Sequence, residues 1–352
     1  MTDTLTKLAY QTFQQGKSYF GVAHKALSTQ LEQLAVGKRD NEIFPLSPDV
    51  VERIYNSLNQ IIETDWNDAE TGIYPVETLF DNSWGDFFQY YPLVWLDLPK
   101  IWDRVRNKQY QSFDSQIDLN DYPKYYRQNF HHQTNGYLSD LSANLYDVQV
   151  DILFNGAADA MRRRILAPLK QGLSHFAEVP PSQIRVLDVA TGTGRTLRFL
   201  RSMLPKAALF GTDLSPAYLR KANQLLSQLP GELPQLCQAN AEDLPYGNEQ
   251  FHGVSCVFTF HELPGPARQN VIDQCYRVLK PGGTFVICDS IQKDDDPHLN
   301  PLLHNFQTTF HEPYHRSYSE DDMTARLERS GFVEIATQLH FMSKYWVAHK
   351  PA

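Results

Sequence analysis

The sequence predicts an α/β protein with a largely parallel sheet, preceded by a helical N-terminal region. Up to about residue 140, apolar residues recur at steps of three and four, a spacing typical of amphipathic helices. From residue 183 onward, short apolar runs alternate with helical stretches. That alternation indicates βαβ units and a parallel sheet with helices on both faces.

Length and composition agree with this organisation. The chain has 352 residues, which allows about two domains. We predict a helical accessory or cap domain over 1–135 and a second domain over 136–352. The net charge of −9 argues against a nucleic-acid partner. No apolar run is long enough to span a membrane, which leaves only peripheral membrane contact open.

The N-terminus lacks the pattern of a signal peptide, and the four cysteines lack the spacing of a zinc site or a disulfide framework. We therefore expect a cytoplasmic protein. A transit peptide removed beforehand would leave no trace in this sequence.

Three helical stretches are predicted before the first strand. The apolar stripe over 48–66 predicts one helix, capped by the preceding serine. Pro92 and Pro99 predict two short helices with a kinked connection over 79–102. A long amphipathic helix is predicted over 145–169.

The second half contains the strands. Five are predicted in βαβ units, with helices around 195–204, 216–228, 266–279 and 320–330, and two more runs over 333–338 and 345–350 are close enough to pair as an edge hairpin. The five strands are Ile184–Ala190, Ala207–Thr212, Pro234–Gln238, Gly253–Phe258 and Thr284–Cys288.

A glycine-containing loop follows the first strand. Gly192 and Gly194 let the backbone approach a ligand, and the following helix offers free N–H groups, which is typical of a nucleotide or nucleoside site. Asp213 comes directly after the second strand, where a carboxylate accepts hydrogen bonds from ribose hydroxyls. The alternative is that Asp213 caps the next helix, a role that Ser215 would serve equally well.

Two further features follow in order. Asn240 and Ala241 end the third strand, where a polar side chain and a small residue suit the edge of an adenine, with Leu244 against its face. Arg277 to Gly283 ends a helix in a Pro-Gly-Gly turn before the fifth strand.

With these motifs in this order, residues 140–352 resemble the class I S-adenosylmethionine-dependent methyltransferases. The ubiquinone/menaquinone-biosynthesis C-methyltransferases are the most similar branch. The resemblance implies a Rossmann-like, seven-stranded, mostly parallel sheet with one antiparallel strand, and S-adenosylmethionine as cofactor. It departs from the family at Ala190, the first glycine position of the loop, and at Phe251-His252, where Phe-Asp is usual.

Motif register and resemblance together predict the cofactor site. The predicted cofactor-binding residues are Asp188, Ala190, Thr191, Gly192, Gly194, Asp213, Leu214, Asn240, Ala241, Glu242 and Phe258.

The acceptor is expected over the ends of strands four and five. His261 is the predicted general base, as a neutral imidazole near its ordinary pKa, with Asp289 facing the same place. The alternatives are a helix-capping or core-packed histidine and an acid that only orients a loop.

The sequence His311-Glu312-Pro313-Tyr314-His315 spells H-E-x-x-H, a zinc-binding pattern when it lies on a regular helix. Pro313 disrupts such a helix, so no metal site is predicted. We predict instead a lid in which His311 and Tyr314 line the acceptor pocket.

An aromatic segment before the first strand contains Tyr126, His131 and Tyr137. The resemblance makes it a cap over the cofactor, and the alternative is an interdomain core. An aromatic cap favours a flat or lipophilic small-molecule acceptor, such as a phenol, quinone or prenyl lipid.

The predicted function is S-adenosylmethionine-dependent O- or C-methylation of a small aromatic or lipophilic acceptor. One alternative is a cofactor-binding scaffold without turnover. The other is a nucleotide-dependent oxidoreductase, which Leu197 disfavours because it stands where a dinucleotide fingerprint has its third glycine.

Overall fold

The computed structural model describes residues 4–37, 43–82 and 84–352. The strands are β1 (Arg185–Val189), β2 (Ala208–Asp213), β3 (Gln235–Gln238), β4 (Phe251–Val257), β5 (Leu279–Ser290), β6 (Val333–His340) and β7 (Ser343–His349). The helices are α1 (Thr4–Val36), α2 (Pro48–Glu70), α3 (Trp84–Arg106), α4 (Asp140–Leu153), α5 (Ala158–Arg163), α6 (Leu166–Leu173), α7 (Arg195–Met203), α8 (Pro216–Leu226), α9 (Gly265–Val278), α10 (Asn300–Thr309), α11 (His315–Ser319) and α12 (Met323–Ser330).

The seven strands form one sheet in the order β3-β2-β1-β4-β5-β7-β6. Neighbouring strands from β3 to β5 are parallel, and β7 is antiparallel to both β5 and β6. The predicted fold class and edge hairpin are therefore confirmed. The strand order reverses between β1 and β4, and ligands of open α/β sheets bind at the carboxyl ends of the strands beside such a reversal.

Two helix predictions in the first half are wrong. The two short helices predicted over 79–102 are one helix, α3, which contains both Pro92 and Pro99. The prolines are seven residues apart, close to two full turns, so both disturb the same face of the helix. The opposite face packs on α4, with Val94 buried against Leu145 and Val148.

The single helix predicted over 145–169 is broken into α4, α5 and α6. Asn155 and Gly156 adopt positive φ angles of 51° and 84°, which end α4. A Cβ on Gly156 would lie 2.4 Å from Cβ of Lys17 in α1. The break therefore lets α1 approach the chain where a continuous helix with a side chain at 156 would clash.

The predicted Pro-Gly-Gly turn is instead the irregular start of β5. The register between β4 and β5 shifts near Phe251, and Gly282 has a φ of 76°. The Gly282 N–H donates to the carbonyl of Lys350 at 3.0 Å, which ties the segment to the end of the chain.

The N-terminal helices share a core with the sheet domain. Tyr10 and Trp66 belong to the same buried cluster as Leu169 and Val186. Beside it, Arg163 Nη2 and Asp65 Oδ2 form a buried ion pair at 2.6 Å, which joins α5 to α2. The division at residues 135/136 stays a prediction.

No helix within residues 4–37, 43–82 and 84–352 is both long enough and apolar enough to cross a membrane.

Candidate active site

The loop after β1 has the conformation that its glycines predict. Ala190, Gly192 and Gly194 have φ angles of 54°, 55° and 83°, in the left-handed region that favours glycine. Ala190 therefore adopts a glycine-like conformation at the position where the resembling family has glycine. The positive φ turns the chain sharply at the end of the strand, and α7 begins directly after Gly194.

Asp188 holds this loop from below. Its carboxylate accepts hydrogen bonds from Thr191 Oγ1 at 2.7 Å and from Ser255 Oγ at 2.6 Å. Burial raises the pKa of Asp188 to about 7, although both hydroxyl groups counteract the shift. The side chain thus supports the loop from within the fold.

Asp213 lies at the end of β2 and faces the loop. Its Oδ2 accepts from the Gly192 N–H and its Oδ1 from the Ser215 N–H, both at 2.8 Å. Ser215 Oγ accepts from the Tyr218 N–H at 3.2 Å and so caps α8. The alternative role of Asp213 as the helix cap is therefore wrong. Burial raises the pKa of Asp213 to about 6.

A cleft of about 110 Å³ opens at the carboxyl ends of β1, β2 and β4. The predicted residues that line it are Ala190, Gly192, Asp213, Leu214, Asn240, Ala241, Phe258, Tyr126 and Tyr137. Aromatic residues of the predicted cap thus face the glycine loop across one cleft. That is the space available for a nucleoside.

Four other predicted cofactor residues do not line the cleft: Asp188, Thr191, Gly194 and Glu242. Glu242 instead accepts from Tyr125 Oη at 2.6 Å and from Asn270 Nδ2 at 2.8 Å. Leu244, expected on the adenine face, is buried in the core, and Leu263 lines the cleft.

Comparison with known proteins agrees with this geometry. Residues 186–283 match a family model described as a methyltransferase domain. An uncharacterized methyltransferase of Synechocystis is 29% identical over 162 residues, which are 46% of this chain and 72% of the relative. Residues 186–283 are thus a methyltransferase domain, and the predicted resemblance to the class I S-adenosylmethionine-dependent methyltransferases is confirmed.

Two quinone-pathway enzymes are also similar to this methyltransferase. The ubiquinone/menaquinone biosynthesis C-methyltransferase of Desulfotalea psychrophila is 30% identical over 151 residues, 43% of this chain and 56% of the relative. The demethylmenaquinone methyltransferase of Thermotoga maritima is 32% identical over 152 residues, 43% of this chain and 59% of the relative. The chain thus spans little more than half the length of these two enzymes, and S-adenosylmethionine is the cofactor of the family.

A second and larger cavity adjoins the cleft that the glycine loop lines. Its volume is about 420 Å³, and its lining is mostly apolar, from α2, α4, α10 and the segment after β5. Tyr146, Phe258 and Glu262 line both cavities. Phe258 has a φ of 57° and stacks on Phe154, with ring centroids 5.8 Å apart. An aromatic side chain is thus held in a strained backbone conformation where the two spaces meet.

Four ionisable side chains gather at this junction: His131, His261, Glu262 and Glu312. His131 Nε2 lies 3.1 Å from Glu312 Oε1 and 3.6 Å from Glu262 Oε1. His261 Nε2 lies 3.8 Å from the same oxygen of Glu262, which also accepts a hydrogen bond from Tyr137 Oη. Three of the four line the larger cavity, and Glu312 lies behind them.

His261 and Asp289, predicted only to face the same place, form a buried ion pair. His261 Nδ1 lies 2.6 Å from Asp289 Oδ1, and Asp289 Oδ2 accepts from the N–H groups of Thr259 and Phe260. Burial lowers the pKa of His261, but the charge and hydrogen bond of Asp289 outweigh it and raise the pKa to about 10. The prediction of a neutral imidazole near its ordinary pKa is therefore wrong, because the carboxylate stabilises the charged ring.

His131 and Glu312 form a second buried pair. His131 has a φ of 51°, a conformation that projects its ring into the larger cavity. Burial lowers the pKa of His131, but the charges of Glu312 and Glu262 and the hydrogen bond to Glu262 together raise it by more. Burial raises the pKa of Glu312 to about 7, against the charge of His131.

Two residues predicted in the acceptor pocket line neither cavity. His311 stacks on Tyr110, with centroids 4.2 Å apart, and its Nε2 lies 3.1 Å from Gln128 Oε1. Tyr314 packs edge-on against Tyr125. These contacts hold both side chains against residues 110–128 and away from the larger cavity.

His315, the last residue of the H-E-x-x-H pattern, also has separate partners. Its Nε2 lies 3.0 Å from Ser290 Oγ and its Nδ1 lies 3.0 Å from Gln307 Nε2. The two histidines of the pattern therefore do not share a site, and only the intervening Glu312 joins the cluster. The sequence analysis did not predict three residues of this junction, Glu262, Glu312 and Tyr146, as site residues. The position of Glu262 directly after His261 is the one local signal that could have indicated it.

Proposed function

We propose that the protein transfers the methyl group of S-adenosylmethionine to the oxygen or carbon of a small acceptor with an apolar, aromatic or isoprenoid body. One observation carries the proposal: the cofactor cleft and the larger apolar cavity meet at Tyr146, Phe258 and Glu262. A donor in the first space and an acceptor in the second would face each other there.

The chemistry requires alignment, exclusion of water and a proton acceptor. The sulfonium S–CH₃ bond breaks and its electron pair stays on sulfur, which leaves S-adenosylhomocysteine. A bond from the acceptor's oxygen or carbon to the methyl carbon forms in line with the leaving sulfur. The acceptor's proton passes to the carboxylate of Glu262, which lines both cavities.

In this proposal His261 is a positioning residue. Because His261 is protonated and paired with Asp289, it has no lone pair for the acceptor's proton. Its charge instead holds the carboxylate of Glu262 at the junction, 3.8 Å away. Asp213 supports the ribose, as the carboxylate at the end of β2 does in other nucleoside sites of this topology.

The test uses methyl-labelled S-adenosylmethionine with a host metabolite extract and with defined phenols and quinols. Val150 lines the larger cavity from α4, and Val150→Trp would fill much of it. Leu141→Trp on the same helix lies outside both cavities and is the matched control. We expect Val150→Trp to bind S-adenosylhomocysteine normally and to lose most label transfer, and Leu141→Trp to lose none.

If Val150→Trp transferred label as fast as the wild type, the acceptor would not occupy this cavity. Tight cofactor binding without any labelled product would favour the scaffold alternative.

A further inference from the structure

We propose that His131, His261, Glu262 and Glu312 bind one divalent transition-metal ion. Each side chain offers one ligand atom, and the four atoms lie within 4.8 Å of one another. Metal–ligand bonds of roughly 2.0–2.2 Å place neighbouring ligand atoms about 3.4 Å apart in a tetrahedral site. The contacts of 3.1, 3.6 and 3.8 Å within the cluster are close to that spacing.

Glu312 gives the second, independent indication of a bound ion. Its side chain is fully shielded from solvent. Within the described part of the chain, neither of its carboxylate oxygens accepts a hydrogen bond of good geometry. A buried carboxylate that accepts no such hydrogen bond is costly, since it has lost its water. Besides the ion pair with His131 at 3.1 Å, a cation between Glu312 and the other three side chains would give these oxygens the partner that no hydrogen bond supplies.

The surroundings of His261 are those of a metal ligand. Metal-binding histidines commonly donate a hydrogen bond from the N–H of their second ring nitrogen to a carboxylate. That hydrogen bond fixes the tautomer and orients the first nitrogen toward the metal. Here Asp289 Oδ1 lies 2.6 Å from Nδ1, and Nε2 faces the cluster. Asp289 is itself fixed by the N–H groups of Thr259 and Phe260.

The ligand set selects the class of ion. Imidazole nitrogens favour zinc, iron, cobalt or nickel over magnesium and calcium, which prefer oxygen ligands throughout. Binding of the ion would displace the Nε2 proton that His261 carries in the metal-free protein. Two neutral imidazoles and two carboxylates then carry a formal charge of −2, which one divalent ion neutralises. The site adjoins the cavity proposed for the acceptor, so the ion would lie where an acceptor oxygen arrives. That location rests on the proposed function, whereas binding of the ion does not.

The test measures metal directly. The purified full-length protein is analysed for metals by mass spectrometry, then stripped with a chelator and titrated with Zn²⁺ by calorimetry and with Co²⁺ by visible absorption. We expect one equivalent of either ion and Co²⁺ d–d bands of a four- or five-coordinate site. Glu312→Gln and His131→Asn should weaken binding at least about tenfold, and Asp289→Asn about 10- to 100-fold.

Two variants of neighbouring histidines serve as controls. His311→Gln and His315→Gln alter the H-E-x-x-H pattern but not the cluster, and should bind both ions like the wild type. S-adenosylhomocysteine binding checks that each variant is folded and reports on the cofactor site separately from the metal. If the stripped wild type takes up neither ion, or if Glu312→Gln and His131→Asn bind both ions unchanged, the cluster is an ion-pair network only.

Discussion

Replacing Asp213 with asparagine should weaken cofactor binding without unfolding the protein. The carboxylate is buried at the end of β2, beside the cleft where the ribose would lie. Hydrogen bonds to a charged acceptor contribute roughly 1.5–3 kcal/mol and neutral ones roughly 0.5–1.5 kcal/mol. Loss of the charge in two ribose hydrogen bonds therefore costs about 2–3 kcal/mol, a roughly 30- to 140-fold increase in Kd.

The stability of the free protein should change little, because two effects oppose each other. The pKa of Asp213 is raised from 3.8 to about 6, a difference of 2.2, so its ionisation costs about 3 kcal/mol at neutral pH. Asparagine removes that cost. However, asparagine places an NH₂ group where one carboxylate oxygen accepted from the N–H of Gly192 or Ser215. That N–H then loses its acceptor, which costs roughly 1–3 kcal/mol.

Calorimetric titration with S-adenosylhomocysteine at pH 5 and pH 8 would measure both effects. The ionised carboxylate accepts more strongly, so wild-type affinity should rise as the pH passes about 6. The variant should show a much smaller rise, so the difference in Kd between the two proteins should be much smaller at pH 5 than at pH 8. Asp140→Asn alters an exposed carboxylate on the surface and is the control. A folded Asp213→Asn protein that binds like the wild type at pH 8 would refute the ribose role.

Two further predictions concern stability. A Cβ on Gly172 would lie 1.9 Å from Thr284 Oγ1, so Gly172→Ala should lower the free energy of unfolding by about 1–3 kcal/mol in urea. Gly16→Ala, with open space around it, should raise that free energy by about 0.5–1 kcal/mol, and equal effects at the two sites would contradict the packing argument. The folded pKa of Asp188 is raised from 3.8 to about 7, so the native state binds more protons in that range. Wild-type unfolding free energy should thus fall by up to about 4 kcal/mol more than that of Asp188→Asn between pH 4 and pH 8, and parallel pH profiles would contradict this.

The sheet domain was predictable because its signals are local. Buried parallel strands read as apolar runs, and the buried strands β1 and β2 begin and end within one residue of their predicted bounds. Local sequence signals gave two wrong predictions in the first half. Two prolines predicted a break in the helix that is α3, and an apolar stripe predicted one continuous helix over 145–169. Tertiary packing decided both cases: α3 continues past both prolines while it packs on α4, and α1 requires the glycine at 156.

The sequence by itself determined the loop and the acid that we propose for the donor side of the site. The turn at Gly192 and the acid at Asp213 are set within one βαβ unit, where chain spacing fixes their separation. The acceptor side depended on the tertiary structure, since His131, Glu262 and Glu312 come from three separate segments that only folding brings together. The charge of His261 was decided in the same way, because Asp289 approaches it only when β4 and β5 pair. Spacing along the chain carries no information about such contacts, which depend on burial and on the distances that the fold imposes.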